Sequence, residues 1–314
     1  MCTAITYQTD DFYFGRNLDY DRLPGEKVAL MPRKFLSPEH PFAVLGMAHI
    51  ADDYPLFYDA VNEKGLCMAG LNFPGNAVFA PAEHGAHDIA QYELMPTLLA
   101  RCANVSEAKI FLKSICLTDK PFSPAFPASD LHWMIADKNV CITVEATARG
   151  LEIFDNPAGV LTNNPPFEMQ LFGLNNYRAL SPDTPPNTFG LPLQVYSRGM
   201  GAMGLPGDLS SASRFVRAAF VRANAVSEKD ENASVQQFFH LLSAVEQPRG
   251  CCRLENGGLE YTLYSACCNA TRGIYYYKTY ESAQIIGIDM HREDLNTRSL
   301  IVFPLQTATP LIAN

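Results

Sequence analysis

Strand patterns open and close this chain, and the helical patterns between them come in blocks instead of alternating with strands. The first strand pattern, Cys2 to Tyr7, begins at the chain terminus. A turn at Thr9-Asp10-Asp11 follows, and then a second strand from Phe12 to Arg16, so the two form a hairpin. A parallel sheet would need regular strand–helix alternation, which is absent. The order therefore predicts an α+β fold with antiparallel sheets and helices on their outer faces.

Further strands are predicted where β-branched or aromatic runs are bounded by turn residues. They cover residues 57–61, 66–73, 131–136, 141–146, 151–154, 259–268, 274–280 and 284–290. Three helices are predicted from apolar spacing and capping patterns. One follows an Asp88-x-x-Gln91 box, with a break or second start at Pro96. The next covers 106–115 behind Asn104, and the last follows a Ser234-x-x-Gln237 box and is closed by Pro248.

The composition indicates one folded domain over residues 1–314. Of the 314 residues, 47% are hydrophobic, and no repeat, low-complexity tract or Gly/Ser linker divides them. The formal net charge of −9, without a run of Lys and Arg, makes nucleic acid an unfavourable partner. No apolar stretch approaches the roughly 20 residues of a membrane-spanning helix, and no secretory signal opens the chain, so we expect a cytoplasmic location and no membrane partner.

Several reaction classes lack their motifs. The chain has no P-loop, no G-x-S-x-G, no H-E-x-x-H and no paired-cysteine zinc signature, and its nine cysteines include no C-x-x-C pair. Gly199 to Gly204 matches G-x-G-x-x-G, but Pro206 and Gly207 follow where a dinucleotide site needs a helix. His84 and His87 could share a metal, but no third ligand accompanies them in recognisable spacing. We therefore expect no metal and no organic cofactor.

Cys2 stands directly after the initiator Met. Removal of Met1 would leave a residue that carries both a thiol and a free α-amine, with reference pKa values of about 8.5 and about 7.7–8.0. The amine could then act as the base for its own thiol, as in an N-terminal nucleophile. With Met1 retained, the Cys2 nitrogen is an amide with no basic lone pair. Taken alone, the position of Cys2 favours an ordinary small strand residue.

Charged residues at the end of the second strand could serve such a nucleophile. Arg16 would favour a thiolate by its charge, and Asp19 could hold the α-ammonium and orient the terminus. The hairpin would bring both near Cys2. The alternative is a surface ion pair at a strand end.

The opening of the chain resembles the choloylglycine hydrolases, which comprise bile salt hydrolases and penicillin V acylases of the N-terminal nucleophile superfamily. Met-Cys-Thr followed by F-G-R-N-x-D at Phe14 to Asp19 is similar to the opening signature of that family. Later segments resemble the family in the same order, namely 62–76, 160–165, 205–215 and 264–277. The resemblance implies an αββα sandwich of two antiparallel sheets covered by helices, and a bacterial amidase.

The resemblance also implies roles for further residues. Asn76 would lend a backbone N–H, and Asn163 a side-chain amide, to an oxyanion hole. Arg214 would be the second arginine of the catalytic site, although by position it is also a plain helix N-terminal arginine. The implied catalytic set is Cys2, Arg16, Asp19, Asn76, Asn163 and Arg214.

The substrate implied by the resemblance is a bile acid conjugated to glycine or taurine. Bile salt hydrolases carry Asn at the position of Asn76, where many penicillin V acylases carry Tyr, and the triplet Ser197-Arg198-Gly199 resembles a loop associated with taurine conjugates. The stretch before Ser210 resembles that of tetrameric members, which implies a homotetramer. The loop after Asp19, Phe57 and Leu131-His132-Trp133 could line the acyl pocket.

Two alternatives stay open beside bile salt hydrolysis. The first is penicillin V or acyl-homoserine lactone acylase activity with the same chemistry. The second is a non-catalytic binding or redox-sensing protein that uses Cys2 as an exposed thiol.

Overall fold

The structure is a computed structural model that describes residues 1–22, 25–82, 85 and 87–306. In chain order, the strands of this described part are β1 (Cys2–Gln8), β2 (Phe12–Tyr20), β3 (Lys27–Met31), β4 (Val44–Ala51), β5 (Tyr54–Asn62), β6 (Cys67–Asn72), β7 (Asp88–Ala90), β8 (Cys116–Thr118), β9 (Leu131–Ala136), β10 (Cys141–Thr147), β11 (Gly150–Asp155), β12 (Val160–Leu161), β13 (Cys252–Arg253), β14 (Leu259–Asn269), β15 (Ile274–Thr279), β16 (Ser282–Asp289) and β17 (Ile301–Pro304). The helices are α1 (Leu94–Arg101), α2 (Val105–Lys113), α3 (Phe167–Gly173), α4 (Ser211–Asn224) and α5 (Glu231–Ser243).

The first sheet is built around the N-terminal hairpin. Its strand order is β12-β1-β2-β14-β15-β16, with β13 added beside β14. β1 and β2 pair antiparallel with Cys2 opposite Leu18 and Ala4 opposite Arg16. β14 pairs on the other side of β2, which places both hairpin strands in the interior of the sheet.

The second sheet has the order β11-β10-β9-β6-β5-β4-β3-β17, and all of its pairs are antiparallel. A short parallel ladder joins β7 to β8 outside both sheets. β3 and β4 were not predicted from the sequence. Both are buried along most of their length, so apolar and polar residues do not alternate in them.

Two apolar layers hold these elements together. One cluster fills the space between the sheets and beneath α4 and α5, where Phe215 and Phe238 are fully buried. The other lies between the outer face of the second sheet and α1 and α2, with Leu98 and Leu112 in its interior. The layers run helix, sheet, sheet, helix, so the predicted αββα arrangement of antiparallel sheets is confirmed.

Two predicted helix starts are wrong, while the helices themselves are present. Asp88 belongs to β7 and its carboxylate accepts from the backbone N–H of Gly85, so α1 begins only at Leu94. Ser234 is buried inside α5 and contacts the hydroxyl of Thr9, and Asp230 caps that helix instead. The Asn104 cap is confirmed, since its side chain accepts from the N–H of Glu107.

Candidate active site

The Cys2 side chain lies at the start of β1, buried and 5% exposed, on the wall of a cavity of about 370 Å³. Opposite residues of an antiparallel pair point to the same face, so the register of the hairpin places Cys2 and Arg16 on one face of the sheet. Both border this cavity, which we call the Cys2 cavity, together with Leu18.

Arg16 is fully buried and joins the two sheets beside Cys2. Its guanidinium donates through Nη1 to the carbonyl oxygens of Tyr58, at 3.0 Å, and Gly70, at 2.6 Å. Burial alone would lower the pKa of Arg16, but the negative groups around it, with Cys2 first among them, raise it above its ordinary value. Nη2 has no hydrogen-bond partner among the described residues. It is a free donor held at the cavity wall.

Asp19 lies against the chain terminus, and every polar contact of its carboxylate is buried. Oδ1 accepts from the hydroxyl of Thr262 at 2.6 Å, and Oδ2 accepts from the amide of Gln247 at 3.2 Å. Burial raises the pKa of Asp19, and the Arg214 charge, 3.9 Å from Oδ2, opposes that rise. The carboxylate can therefore orient an ammonium group at the start of β1.

Arg214 reaches the same place from the first turn of α4. Its guanidinium donates to the backbone carbonyl of Cys2 and to Oγ1 of Thr3, and at 2.8 Å to Oδ1 of Asn163. Burial lowers the pKa of Arg214, and the Asp19 carboxylate opposes this. Thr3 and Cys2 point to opposite faces of β1, so Arg214 holds the Cys2 backbone rather than its sulfur.

Asn163 is fixed on every side. Its Oδ1 accepts from the backbone nitrogen of Cys2 at 2.8 Å, and its Nδ2 donates to the carbonyl of Asn72 at 2.8 Å. Its backbone N–H donates to Oγ of Ser211, and its carbonyl accepts from the amide of Gln170. Within the described part of the chain Nδ2 donates to Asn72, which leaves its second N–H available for another acceptor near the Cys2 nitrogen.

In the described part of the chain, Asn76 makes no direct hydrogen bond to Cys2 and bonds to neighbours of the site residues instead. Its backbone N–H points to the carbonyl of Phe73 at 3.4 Å, and its side-chain amide donates to Oδ1 of Asn164 at 2.9 Å. The structure thus brings Cys2, Asp19, Asn163 and Arg214 into one contact network, with Arg16 on the same cavity. Among the described residues, Asn76 is connected to this network through its hydrogen bond to Asn164, the neighbour of Asn163.

Two residues that support the site, Ser211 and Gln170, were given no role from the sequence, and a third, His132, was predicted in a different role. Ser211 and Gln170 hold the Asn163 backbone. His132 bonds the carbonyl of Thr162 through Nε2 at 2.8 Å and Glu145 through Nδ1 at 2.9 Å. Ser211 lies in the matching 205–215 segment and could have been found there, whereas Gln170 carries no sequence signal.

The walls of the Cys2 cavity are largely apolar. Phe57, Leu131 and Trp133 line it, as does Tyr20 in the segment after Asp19, so the prediction that these positions border a cavity beside Cys2 is confirmed. It is wrong for His132, because alternation along β9 turns that ring away from the cavity and into the interior, where it stacks on Phe73.

Met1 occupies the terminus in this structure. Its ammonium nitrogen donates to the carbonyl of Asp19 at 2.9 Å and contacts the carboxylate of Glu260. Burial lowers the pKa of this ammonium group. In this form the Cys2 nitrogen is an amide that donates to Asn163, so it cannot act as a base.

Within the described ranges, no group of three or more His, Cys, Asp or Glu side chains could hold a metal ion. His84 of the sequence pair His84 and His87 lies outside the described residues. No helix in the described part of the chain is long and apolar enough to cross a bilayer.

The chain is similar to a family of amidases over nearly its full length. The model of the linear amide C–N hydrolases, choloylglycine hydrolase family, matches residues 2–303. A bile salt hydrolase/transferase of Lactiplantibacillus plantarum is 49% identical, with 98% of each chain covered. The structure of a mutant conjugated bile acid hydrolase from Clostridium perfringens matches with a TM-score of 0.92 at 36% identity, covering 100% of this chain and 99% of the other. The structure of a penicillin V acylase from Agrobacterium tumefaciens shares the fold, with a TM-score of 0.75 at 20% identity over 98% and 92% of the two chains.

Proposed function

Because the chain belongs to the choloylglycine hydrolase family of linear amide C–N hydrolases, we propose that it hydrolyses the amide bond of bile acids conjugated to glycine or taurine. The observation that carries this proposal is the placement of the Cys2 thiol on the wall of a largely apolar cavity, beside the buried Arg16. An apolar cavity suits a steroid acyl group, and the thiol is placed to reach its carboxamide end.

The proposed reaction begins with the loss of Met1. The thiolate of Cys2 attacks the amide carbonyl, the C–N bond breaks, and a thioester forms between the bile acid and Cys2. The α-amine of Cys2 takes the thiol proton, passes it to the departing glycine or taurine, and then takes a proton from the water that cleaves the thioester. Arg16 favours the thiolate by its charge, and Asp19 orients the α-amine.

An oxyanion forms in both steps and needs preorganised donors. Asn163 can supply its second Nδ2 hydrogen, since its position is fixed by Arg214, Ser211 and Gln170. The backbone N–H of Asn76 makes only a long bond to Phe73 and is the second proposed donor. Arg214 acts as a positioning residue, because it holds the Cys2 carbonyl and Asn163 together.

Three substrates distinguish this activity from its alternatives. We expect release of amine from taurocholate and glycocholate in preference to penicillin V. Cys2→Ser should reduce turnover at least about a thousandfold, because a hydroxyl is a far poorer nucleophile near neutral pH. Cys67→Ala, which removes a buried thiol from the core, is the control and should keep its activity per folded molecule. Preferential cleavage of penicillin V would favour the acylase alternative, and no cleavage by wild-type protein would overturn both.

We also propose that the chain works as a cytoplasmic homotetramer. The stretch before Ser210 supports this assembly, because it exposes large apolar side chains that a subunit interface would cover. They include Phe189, which is 75% exposed, and Tyr196, which is 81% exposed.

A further inference from the structure

The Cys2 cavity is lined by several polar side chains, among them Arg22, Gln91, Glu26 and His49. Glu26 directly precedes β3, and His49 lies on β4. The register pairs Lys27 with Ala48, and the strands are antiparallel, so Glu26, one position before Lys27, is next to His49, one position after Ala48. Both side chains line the Cys2 cavity.

Each of these side chains carries a buried atom that no described residue satisfies. Glu26 is 5% exposed, and its Oε1 accepts from the hydroxyl of Tyr58 at 3.2 Å. The backbone N–H groups of Glu26 and Gly25 also stabilise the charged carboxylate, but its Oε2 has no close partner among the described residues. Nδ1 of His49 is likewise buried and unpartnered within the described part of the chain. Buried polar atoms without a partner are costly and rare, so a pair of them on one cavity wall points to a ligand that supplies the missing bonds.

The chemistry of the pair defines the group that it would bind. The Glu26 carboxylate oxygen can accept a hydrogen bond, and the neighbouring His49 nitrogen can either donate or accept one. A hydroxyl both donates and accepts, so one hydroxyl can bond to both atoms. The His49 ring packs against Phe126 in a tilted arrangement, with ring centroids 5.2 Å apart, and this contact restricts its position. Burial raises the pKa of Glu26, which is consistent with a carboxyl that exchanges a hydrogen bond with a neutral group.

We propose that Glu26 and His49 bind a ring hydroxyl of the steroid and thereby determine which bile acids this enzyme prefers. This inference rests on the proposed function and deepens it. The apolar part of the cavity wall includes Leu56 and Phe57, which can contact the steroid skeleton but offer no hydrogen bond to its hydroxyls.

The test compares substrates that differ only in their hydroxyl groups. KM and kcat would be measured for the taurine conjugates of cholic acid and of cholanic acid, which lacks all ring hydroxyls. Glu26→Leu should raise KM for taurocholate about tenfold and leave kcat within about twofold of wild type. For the cholanic acid conjugate, both KM and kcat should stay within about twofold of wild type. Glu26→Gln keeps hydrogen-bonding capacity and should stay within about threefold of wild type. Glu39→Gln, at an exposed position outside the cavity, is the matched control.

Conjugates of deoxycholic, chenodeoxycholic and lithocholic acid, which lack different hydroxyls, identify the hydroxyl that is bound. Glu26→Leu should no longer raise KM for a conjugate that lacks this hydroxyl. If that variant does not fold, His49→Phe provides the same comparison. The proposal would be overturned if the variant changed KM equally for the hydroxylated and the hydroxyl-free conjugate, or changed KM for neither.

Binding of free cholic and cholanic acid, measured by calorimetry, separates this proposal from the proposed function. A preference for cholic acid that Glu26→Leu removes supports the hydroxyl site even if no conjugate is cleaved. Cleavage of conjugates without such a preference would leave the hydrolase function standing and refute the hydroxyl site.

Discussion

Arg16, Asp19 and Arg214 are almost fully buried around the start of β1. Burying a charge costs free energy unless hydrogen bonds and opposite charges compensate it. Here the compensation comes from backbone carbonyls for Arg16, from Thr262 and Gln247 for Asp19, and from Cys2, Thr3 and Asn163 for Arg214. These contacts fix each charge in one position, so the donors around Cys2 need little rearrangement during a reaction.

Asn163 gives a residue-level test of the oxyanion hole. Asn163→Asp keeps an acceptor for Arg214 and the Cys2 nitrogen but removes the Nδ2 donor. Turnover of taurocholate should fall roughly a hundredfold to a thousandfold. Steady-state kinetics would measure this, with circular dichroism to confirm folding.

Asn175→Asp makes the same chemical change at an exposed position and should leave turnover unaltered. Turnover by Asn163→Asp within about threefold of wild type would remove Asn163 from the proposed oxyanion hole.

At the scale of elements, the close approach of β2 and β14 depends on Gly15. A Cβ atom at this position would overlap the carbonyl oxygen of Ala266 on β14. This explains in physical terms why a glycine precedes Arg16. Gly15→Ala should force the strands apart and reduce the free energy of unfolding by about 1–3 kcal/mol. Chemical denaturation would measure the loss.

Gly173 is the matched control for that substitution. It is helical, with φ of −58°, and a Cβ atom there would meet nothing within 4 Å. Gly173→Ala should therefore be neutral or stabilising by up to about 1 kcal/mol. Equal stability of the two variants would contradict the role given to Gly15.

The sequence predicts elements well where local patterns decide them, and less well elsewhere. The hairpin of β1 and β2 and the hairpin of β5 and β6 follow from alternation and turn residues. β3 and β4 carry no such signal because they are buried within a sheet. The start of α5 was misplaced because Ser234 bonds to Thr9, a contact between distant parts of the chain that a local pattern does not contain.

The candidate site shows the same division. Cys2, Arg16 and Asp19 are close because they share one hairpin, which the sequence predicts. Asn163 and Arg214 come from positions far along the chain, and only the resemblance to a family identified them. The acceptors of Arg16, the carbonyls of Tyr58 and Gly70, lie on the second sheet and depend on how the two sheets pack.

At the scale of the whole molecule, the exposed apolar stretch before Ser210 predicts an assembly. Multi-angle light scattering of the wild-type protein should give four chain masses. Replacing Phe189 and Tyr196 together by Glu should give a smaller species, since charges in an apolar interface are costly.

Val226→Glu, at an exposed apolar position outside that stretch, should keep the wild-type mass. A wild-type protein that is monomeric in solution would contradict the proposed homotetramer.

The chemistry proposed for this molecule requires that its reactive nitrogen be an amine rather than a peptide amide. Mass spectrometry of the N-terminal peptide, made on the same sample whose bile acid release is measured, tests this directly. We predict that fully active protein begins at Cys2 and that any fraction retaining Met1 contributes no turnover. Full specific activity in protein that retains Met1 throughout would contradict the mechanism.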